Sequence, residues 1–223
     1  MRRVNTSEIL DSPDCPSEEV EKSLRDLSRI NRWFGGVATT RKLIERVAAA
    51  TGRKRFSLLE VGAGFGEVPK VAARQLARKA ITLDVTLLDQ MQSHLPHGSR
   101  SVVGDALVLP FCDNSFDLVG CSLFTHHLDP LDLARFTAEA LRVSRRALLI
   151  NDLIRHPLHL ALVYAGWPLM RSRVSRVDGV ASVRRSYIPE EMRHILLGGA
   201  HSAKIEISRH YLFRMGVIVW KNA

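Results

Sequence analysis

The strongest chemical signal in the sequence is a glutamate followed by three glycines at alternate positions. The stretch LLEVGAGFGEVP contains Glu60 and then Gly62, Gly64 and Gly66, where an apolar run changes to a helical pattern. Open α/β sheets bind ligands at such strand-to-helix turns. A phosphate loop is not indicated, because no GK[ST] follows and the third glycine of G-x-G-x-x-G would fall at Glu67. The carboxylate of Glu60 favours a ligand with an ammonium or sulfonium group over a pyrophosphate.

Two further acids end the strands that follow this motif. Asp89 closes the run ITLDVTLLD, where a carboxylate can accept hydrogen bonds from both hydroxyls of a ribose. Asp105 follows SVVG, where it could bind the exocyclic amine of an adenine. Each acid alone could equally cap a helix or tie down a loop. Three acids at successive strand ends beside a glycine turn favour a nucleoside-like ligand that carries positive charge.

The adjacent histidines His126 and His127 come after the fourth predicted strand. An imidazole there could act as the base for a phenol or an activated carbon acid, or it could tie the loop to the sheet. The three cysteines lack CxxC spacing, and the chain has no clustered Asp-Asp-Asn set, so no metal site is predicted.

Aromatic residues in two segments are candidates for a substrate wall. Trp33 and Phe34 precede a Gly-Gly pair and could form a lid on a flexible hinge. Tyr164 and Trp167 belong to an apolar stretch, although their spacing is also that of an ordinary buried helix face. The arginine-rich stretch at 171–187 could grip an anionic acceptor or a lipid surface, or form a solvated loop.

The pattern of elements predicts an α/β fold in which strands alternate with helices. The first fifteen residues are expected to form a loose tail, and two helices are predicted before the glycine motif, one from Ser17 and one from about Thr39. Strands that are nearly continuous apolar runs predict a parallel sheet covered on both faces. These strands are predicted at 55–62, 81–89, 101–104, 116–124 and 146–152, with a closing hairpin at 203–221.

Composition limits the number of domains and the class of protein. A chain of 223 residues with 46% hydrophobic and 25% charged residues is expected to form one globular domain. The odd number of cysteines and the lack of a secretory signal favour a cytoplasmic location, and the apolar stretch at 157–170 is too short to span a membrane. The formal net charge of +9 suits nucleic acid or an anionic surface, or it describes an inert basic surface.

With these residues in place, the chain resembles the class I S-adenosylmethionine-dependent methyltransferases, particularly the small-molecule and quinone-biosynthesis group. The resemblance covers about residues 58–143 and rests on LLEVGAGFG, LLDQ, GDALVLPFCDNSFDLV, SLFTHHL and EALRV in the family's order. It implies a Rossmann-like, doubly wound sheet of seven strands with the last antiparallel. A helical lid at 1–52 would precede the methyltransferase domain at 53–223, which would carry a substrate-cap insertion at about 153–188.

The resemblance also implies S-adenosylmethionine as the cofactor. The resemblance implies that Asp89 and Gln90 bind the ribose and that Asp105 and Ala106 contact the adenine. The gap between the glycines and Asp89 is longer than is usual in the family, which leaves Asp84 as a substitute. Seven further residues would line the methionine end or the reactive end: Glu60, Gly62, Ala63, Gly64, Gly66, Ser122 and Leu123.

The predicted function is methyl transfer to a small, hydrophobic, aromatic or lipid-like acceptor, on oxygen or carbon. An RNA methyltransferase and a cofactor-binding protein without catalytic activity are the alternatives. The former has the positive charge in its favour but lacks a separate RNA-binding module. The expected partner is therefore a small molecule, peripheral contact with a membrane remains open, and the protein is expected to be a monomer or a homodimer.

Overall fold

A computed structural model describes residues 1–10, 12, 14–200 and 203–222. Seven strands form one sheet with the order β3-β2-β1-β4-β5-β7-β6. They are β1 Arg55–Val61, β2 Thr82–Asp89, β3 Ser101–Val103, β4 Phe116–Ser122, β5 Ser144–Leu153, β6 Ile205–His210 and β7 Arg214–Trp220. β1 to β5 pair in parallel, whereas β7 runs antiparallel to both β5 and β6. The predicted doubly wound sheet with an antiparallel last strand is confirmed.

Helices cover both faces of the sheet. They are α1 Ser17–Trp33, α2 Gly36–Thr51, α3 Glu67–Ala77, α4 Pro130–Val143, α5 Pro157–Ala165, α6 Arg173–Arg185 and α7 Pro189–Gly199. One buried cluster joins the sheet to α4 and α7, and the other joins it to α2 and α3. Within the described ranges, no helix has both the length and the apolar character that crossing a bilayer requires.

The strands form where apolar residues run continuously, as expected for a sheet buried on both faces. In β1, Phe56, Leu58, Leu59 and Val61 are all essentially inaccessible to solvent. The helices begin at clear signals. At α4, the Asp129 side chain accepts a hydrogen bond from the backbone N–H of Asp132, and proline occupies the first turn.

The first ten residues are an ordered segment, so the expectation of a loose tail was wrong for them. The backbone N–H groups of Ile9 and Leu10 donate to the two carboxylate oxygens of Asp178, each at 2.9 Å. Arg3 donates to the backbone carbonyls of Arg185 and Leu128 at 2.6 and 2.9 Å. We call residues 1–10 the N-terminal strap, because they cross from α6 to the loop after β4. Polar contacts with distant residues hold this segment, and hydrophobic periodicity does not reveal such contacts.

Three other sequence expectations are corrected. The arginine-rich stretch forms α6 instead of a solvated loop, and Ser172 caps its N-terminus by accepting from the N–H groups of Val174 and Ser175. α2 begins at Gly36, earlier than expected, because Gly35 takes a left-handed conformation at φ 81° and starts the helix. The link of the closing hairpin, expected at the polar residues 208–210, lies at 211–213, because the expected residues belong to β6.

The third glycine of the motif is required by packing. Gly66 has φ +66°, and a Cβ there would lie 2.5 Å from Cδ1 of the buried Leu87. We therefore expect Gly66→Ala to lower the free energy of unfolding by about 2–5 kcal/mol, from the left-handed conformation and from overpacking together. Urea unfolding of purified protein measures the change.

Gly98→Ala is the matched control for this substitution. Gly98 has φ +71° with open space around the added methyl group, so only the conformational cost of about 1–2 kcal/mol applies. Equal losses for the two variants would show that contact with Leu87 does not matter.

Candidate active site

A cavity of about 520 Å³ opens above the carboxyl ends of β1, β2 and β4, where an α/β sheet offers its ligand site. Its volume lies in the range of ordinary small-molecule pockets. α1 and the N-terminal strap form the opposite wall. Ten of the eleven predicted cofactor-binding residues line it: Glu60, Gly62, Ala63, Gly64, Asp89, Gln90, Asp105, Ala106, Ser122 and Leu123. Gly66 lies behind the loop, where it begins α3.

Asp89 fixes the glycine loop to the next strand. Its Oδ2 accepts a hydrogen bond from the backbone N–H of Gly64 at 2.9 Å, and its Oδ1 accepts one from Met91 at 3.0 Å. Burial acts to raise the pKa of Asp89, but hydrogen bonds from His94, Gly64 and Met91 outweigh it, and the pKa is lowered. The carboxylate therefore stays ionised and faces the cavity. Asp84, the substitute considered from the sequence, lies away from the cavity and reaches Arg55 at 4.0 Å.

Glu60 is buried at the end of β1, beside Gly120 on β4. A Cβ at Gly120 would lie 2.8 Å from Oε2 of Glu60, so the glycine leaves room for the glutamate. Burial raises the pKa of Glu60 to about 7, and a hydrogen bond with Ser122 offsets this only partly. A carboxylate in this state gains most from a ligand that brings a positive charge into the cavity.

Asp105 and Leu123 are two further predicted cofactor residues that line the cavity. Asp105 is exposed, and its Oδ1 accepts a hydrogen bond from the backbone N–H of Leu107 at 2.8 Å. Leu123 has φ +55°, a conformation that costs free energy for a residue with a side chain. The backbone N–H of Leu123 donates to the carbonyl of Asn151 at 2.9 Å, which holds this turn in the cavity wall.

His126 lies in the same cavity and is almost completely buried. Its Nδ1 lies 2.7 Å from Oδ1 of Asp152 at the end of β5, and the other carboxylate oxygen accepts from the Thr125 hydroxyl at 2.6 Å. On the far side, Nε2 lies 3.3 Å from Oε1 of Glu8. Burial alone would lower the pKa of His126, but Asp152 and Glu8 outweigh it and raise the pKa to about 10.

The pKa values of Glu8 and Asp152 shift in the direction opposite to that of His126. Burial acts to raise the pKa of Glu8, but hydrogen bonding and the charge of His126 bring it down to about 2. The pKa of Asp152 is also lowered well below its usual range, against burial, by the charge and hydrogen bond of His126. His126 is therefore a buried cation between two carboxylates. We call Glu8, His126 and Asp152 the buried triad.

His127 adds a second imidazole beside the buried triad. Its Nε2 lies 3.7 Å from Oε2 of Glu8, and its ring centroid lies 4.3 Å from that of His126. Glu8, His126 and His127 bring their ligand atoms within 4.8 Å of one another, so these residues could also hold a metal ion, a grouping that the sequence analysis did not anticipate. With its pKa raised, the protonated His126 ring offsets one of the two nearby carboxylate charges.

The four predicted substrate residues do not line the cavity. Trp33 is 61% exposed at the end of α1, and Phe34 follows it half-buried. Tyr164 and Trp167 lie on the outer surface, where their rings contact one another at 5.2 Å. The apolar residues that line the cavity from the strap, α1 and the loop after β4 are Leu10, Leu24, Leu27, Phe124 and Leu128. α1 thus lines the cavity through Leu24 and Leu27 and not through Trp33.

Sequence reasoning missed Glu8 and Asp152. Asp152 could have been found, because it ends a parallel strand in the same way as Asp89. Glu8 carries no such signal. It belongs to an irregular segment and is the one buried residue of the strap, with Oε1 accepting from the Ser182 hydroxyl at 2.8 Å.

Comparison with protein families places residues 59–147 in the family described as a methyltransferase domain. A demethylmenaquinone methyltransferase from Renibacterium salmoninarum is 29% identical over 137 residues, which are 59% of this chain and 51% of that protein. The chain therefore matches about half the length of this curated relative.

Solved structures share the fold at low sequence identity. A methyltransferase from Aquifex aeolicus, described as dependent on S-adenosylmethionine, has a TM-score of 0.60 at 15% identity, covering 92% of this chain and 98% of that one. The plantazolicin methyltransferase BamL, solved with a triazolic substrate analogue and S-adenosylhomocysteine, has a TM-score of 0.67 at 12% identity, covering 92% and 91%.

The CMeT domain of the citrinin polyketide synthase is similar in the same way, with a TM-score of 0.61 at 15% identity over 93% of this chain and 57% of that one. At these identities the likeness concerns the fold. Family, fold and the predicted cofactor agree with one another. Residues 59–147 therefore match a methyltransferase domain, and the chain has the fold of S-adenosylmethionine-dependent methyltransferases of known structure.

Proposed function

We propose that this protein transfers the methyl group of S-adenosylmethionine to an oxygen or carbon of a small, hydrophobic, aromatic or lipid-like acceptor. The observation that carries this proposal is that His126, oriented by Asp152, lines the same cavity as Glu60 and the glycine loop. A base, an apolar wall and a site for a cationic donor therefore meet in one cavity.

The charges in the cavity suit a sulfonium donor. Glu60 and Asp89 are buried acids on its wall, and Asp105 stands at the rim. In the arrangement implied by the family, Glu60 faces the ammonium end of the cofactor and Asp89 faces its ribose. The donor supplies an activated methyl group, and the residues of the chain hold donor and acceptor in line and exclude water.

The acceptor class follows from the apolar wall of the cavity. Leu24 and Leu27 of α1, with Leu10 of the strap and Phe124, give that wall an apolar surface. Such a wall suits a ring or an alkyl chain better than a charged polymer. The curated relative is named for a demethylmenaquinone, which supports a quinone-like ring as the acceptor.

His126 is proposed to take the proton of that acceptor at Nε2, while Asp152 keeps Nδ1 protonated and the ring oriented. The S–CH₃ bond of the donor breaks as the bond from the methyl group to the acceptor oxygen or carbon forms, and the acceptor proton remains on His126. In the resting protein His126 is already protonated, because its pKa is about 10. It must lose this proton before it can act as a base.

We expect the affinity for S-adenosylmethionine to rise with pH through the pKa of Glu60. Burial holds this pKa at about 7, and a cationic ligand binds the ionised form better, so binding releases a proton. The association constant should increase roughly eightfold from about pH 6 to about pH 7.5, as the ionised fraction increases. Titration calorimetry in buffers of different ionisation enthalpy measures both the affinity and the released proton.

Glu60→Gln provides the control for this expectation. The amide keeps the shape of the side chain but cannot ionise, so affinity should fall and its dependence on pH should disappear. Glu67→Gln serves as a matched substitution, because Glu67 also lines the cavity but is paired with Arg32 at 2.8 Å. A wild-type protein whose affinity does not change between these pH values would rule out Glu60 as the group that meets the positive charge.

We expect kcat/KM to increase with pH from 7 towards 10, as His126 loses its proton. Glu8→Gln removes one of the two carboxylates that stabilise the charged ring, so the midpoint of the profile should shift down by about 1–2 pH units. His126→Ala should lower kcat by roughly 10²–10⁴-fold. Methyl transfer to the acceptor fraction, measured with labelled donor, gives each profile.

A variant that still binds the cofactor is folded, so its loss of activity can be assigned to catalysis. Removing His126 leaves two buried carboxylates without their cation, which costs roughly 3–5 kcal/mol of stability, so binding of the donor must be checked by calorimetry. His97 is exposed and lies outside the cavity, and His97→Ala should behave as wild type. If Glu8→Gln does not shift the midpoint of the pH profile of kcat/KM, the role assigned to the buried triad is wrong.

Labelled donor incubated with lipid, polar and RNA fractions of an extract tests the acceptor class. Incorporation into the lipid fraction supports the proposal. Incorporation into RNA, with retention on RNA that salt weakens, would replace it with the RNA methyltransferase alternative. Binding of the donor without transfer to any fraction would favour the non-catalytic alternative.

A further inference from the structure

A cluster of large apolar side chains lies exposed on the segment between β5 and α7. Of the fifteen large hydrophobic residues exposed in the described part of the chain, six fall within residues 158–177, each between 38% and 60% exposed. We call them the apolar face: Leu158, Leu162, Tyr164, Trp167, Leu169 and Val177. Single exposed apolar residues are normal, but a contiguous set on one segment is typical of an interaction site.

The helix that carries much of this face has little of its surface buried. His159 is the only residue of α5 that is fully buried, although the helix is apolar on all sides. Helices of this kind normally belong to a protein core or to a membrane. Tyr164 and Trp167 pack against each other on the same surface, and these two residue types prefer the interface between lipid and water.

The charge of the segment indicates which kind of surface the apolar face would bind. Residues 153–177 contain no aspartate or glutamate, whereas Arg171 and Arg173 are exposed just beyond the apolar run. Arg176 donates two hydrogen bonds to the carbonyl of Met170 and adds a third positive charge. Apolar side chains beside a row of cations match an anionic membrane surface.

The acids that approach this segment from other elements are already engaged. Asp26 of α1 is buried and accepts the backbone N–H groups of Arg171 and Ser172 at 2.8 and 2.9 Å. Glu19 accepts from the Ser172 hydroxyl at 2.9 Å. Asp178, also buried, accepts the N–H groups of the strap. Because these carboxylates face the protein, the surface of the segment remains basic.

We propose that the apolar face docks this protein on an anionic lipid bilayer. Leu158, Leu162, Trp167 and Leu169 enter the boundary between headgroups and acyl chains, and Arg171 and Arg173 contact the headgroups. This contact places the protein at the membrane surface without a spanning helix. It is independent of the methyl transfer proposed above, since it uses none of the cavity residues.

Sedimentation with vesicles tests this proposal on the full chain. We expect binding to vesicles of phosphatidylglycerol mixed with phosphatidylcholine, weakened by salt, and much weaker binding to phosphatidylcholine alone. Arg171→Gln with Arg173→Gln should lower the partition coefficient roughly thirtyfold, which corresponds to about 1 kcal/mol per arginine. Leu162→Ser with Trp167→Ser should lower it at least about tenfold.

Leu131→Ser is the matched control, because Leu131 is 70% exposed on α4, outside the segment. This variant should bind vesicles like wild type, and all variants should retain the wild-type unfolding curve. Equal binding by wild type and the Leu162/Trp167 double variant would overturn the proposal. A dimer in sedimentation equilibrium that this double variant dissociates, with no vesicle binding by wild type, would instead assign the face to a second copy of the chain.

Discussion

The charge on His126 depends on two carboxylates that come from distant parts of the chain. Asp152 ends a strand in the middle of the sheet, whereas Glu8 reaches the cavity from the N-terminal strap. Either carboxylate without the imidazolium would be an unpaired buried charge, which is costly. The closed position of the strap and the proton on His126 therefore stabilise each other. Displacement of Glu8 by an acceptor would weaken the hold on that proton at the moment when a base is required.

The cavity holds buried carboxylates whose pKa values move in opposite directions, and their neighbours explain the difference. Glu60 has the hydroxyl of Ser122 beside it, which compensates little for burial, so its pKa rises. Glu8 and Asp152 face a cation, and their pKa values fall despite burial. Enzymes assign acid, base and binding roles to similar groups in this way. Glu8 and Asp152 have a cation from the chain, whereas in the proposed reaction Glu60 would gain one from the methyl donor.

Most of the fold, and the meeting of the predicted acids at one cavity, followed from the sequence because both depend on local patterns. Continuous apolar runs marked the strands, and the acids at their carboxyl ends had to meet at one edge of the sheet. The acceptor side did not follow. The role of Glu8 depends on contacts with residues far away in the sequence, and an irregular segment offers no periodicity. Apolar spacing suggested a wall at Tyr164 and Trp167, but spacing cannot distinguish a cavity wall from an outer surface.

α6 connects the cavity of the proposed methyl transfer with the apolar face of the proposed membrane contact. It packs against both α1 and α5, carries Val177 to the apolar face and carries Ser182 to the cavity, where its hydroxyl holds Glu8. A bilayer at the apolar face and an acceptor in the cavity would therefore act on the same helix from opposite sides. Because Asp178 of this helix also anchors the strap, a shift of α6 at the membrane would change the position of Glu8. For an acceptor that dissolves in lipid, this arrangement would link arrival at the membrane to release of the proton that His126 must lose.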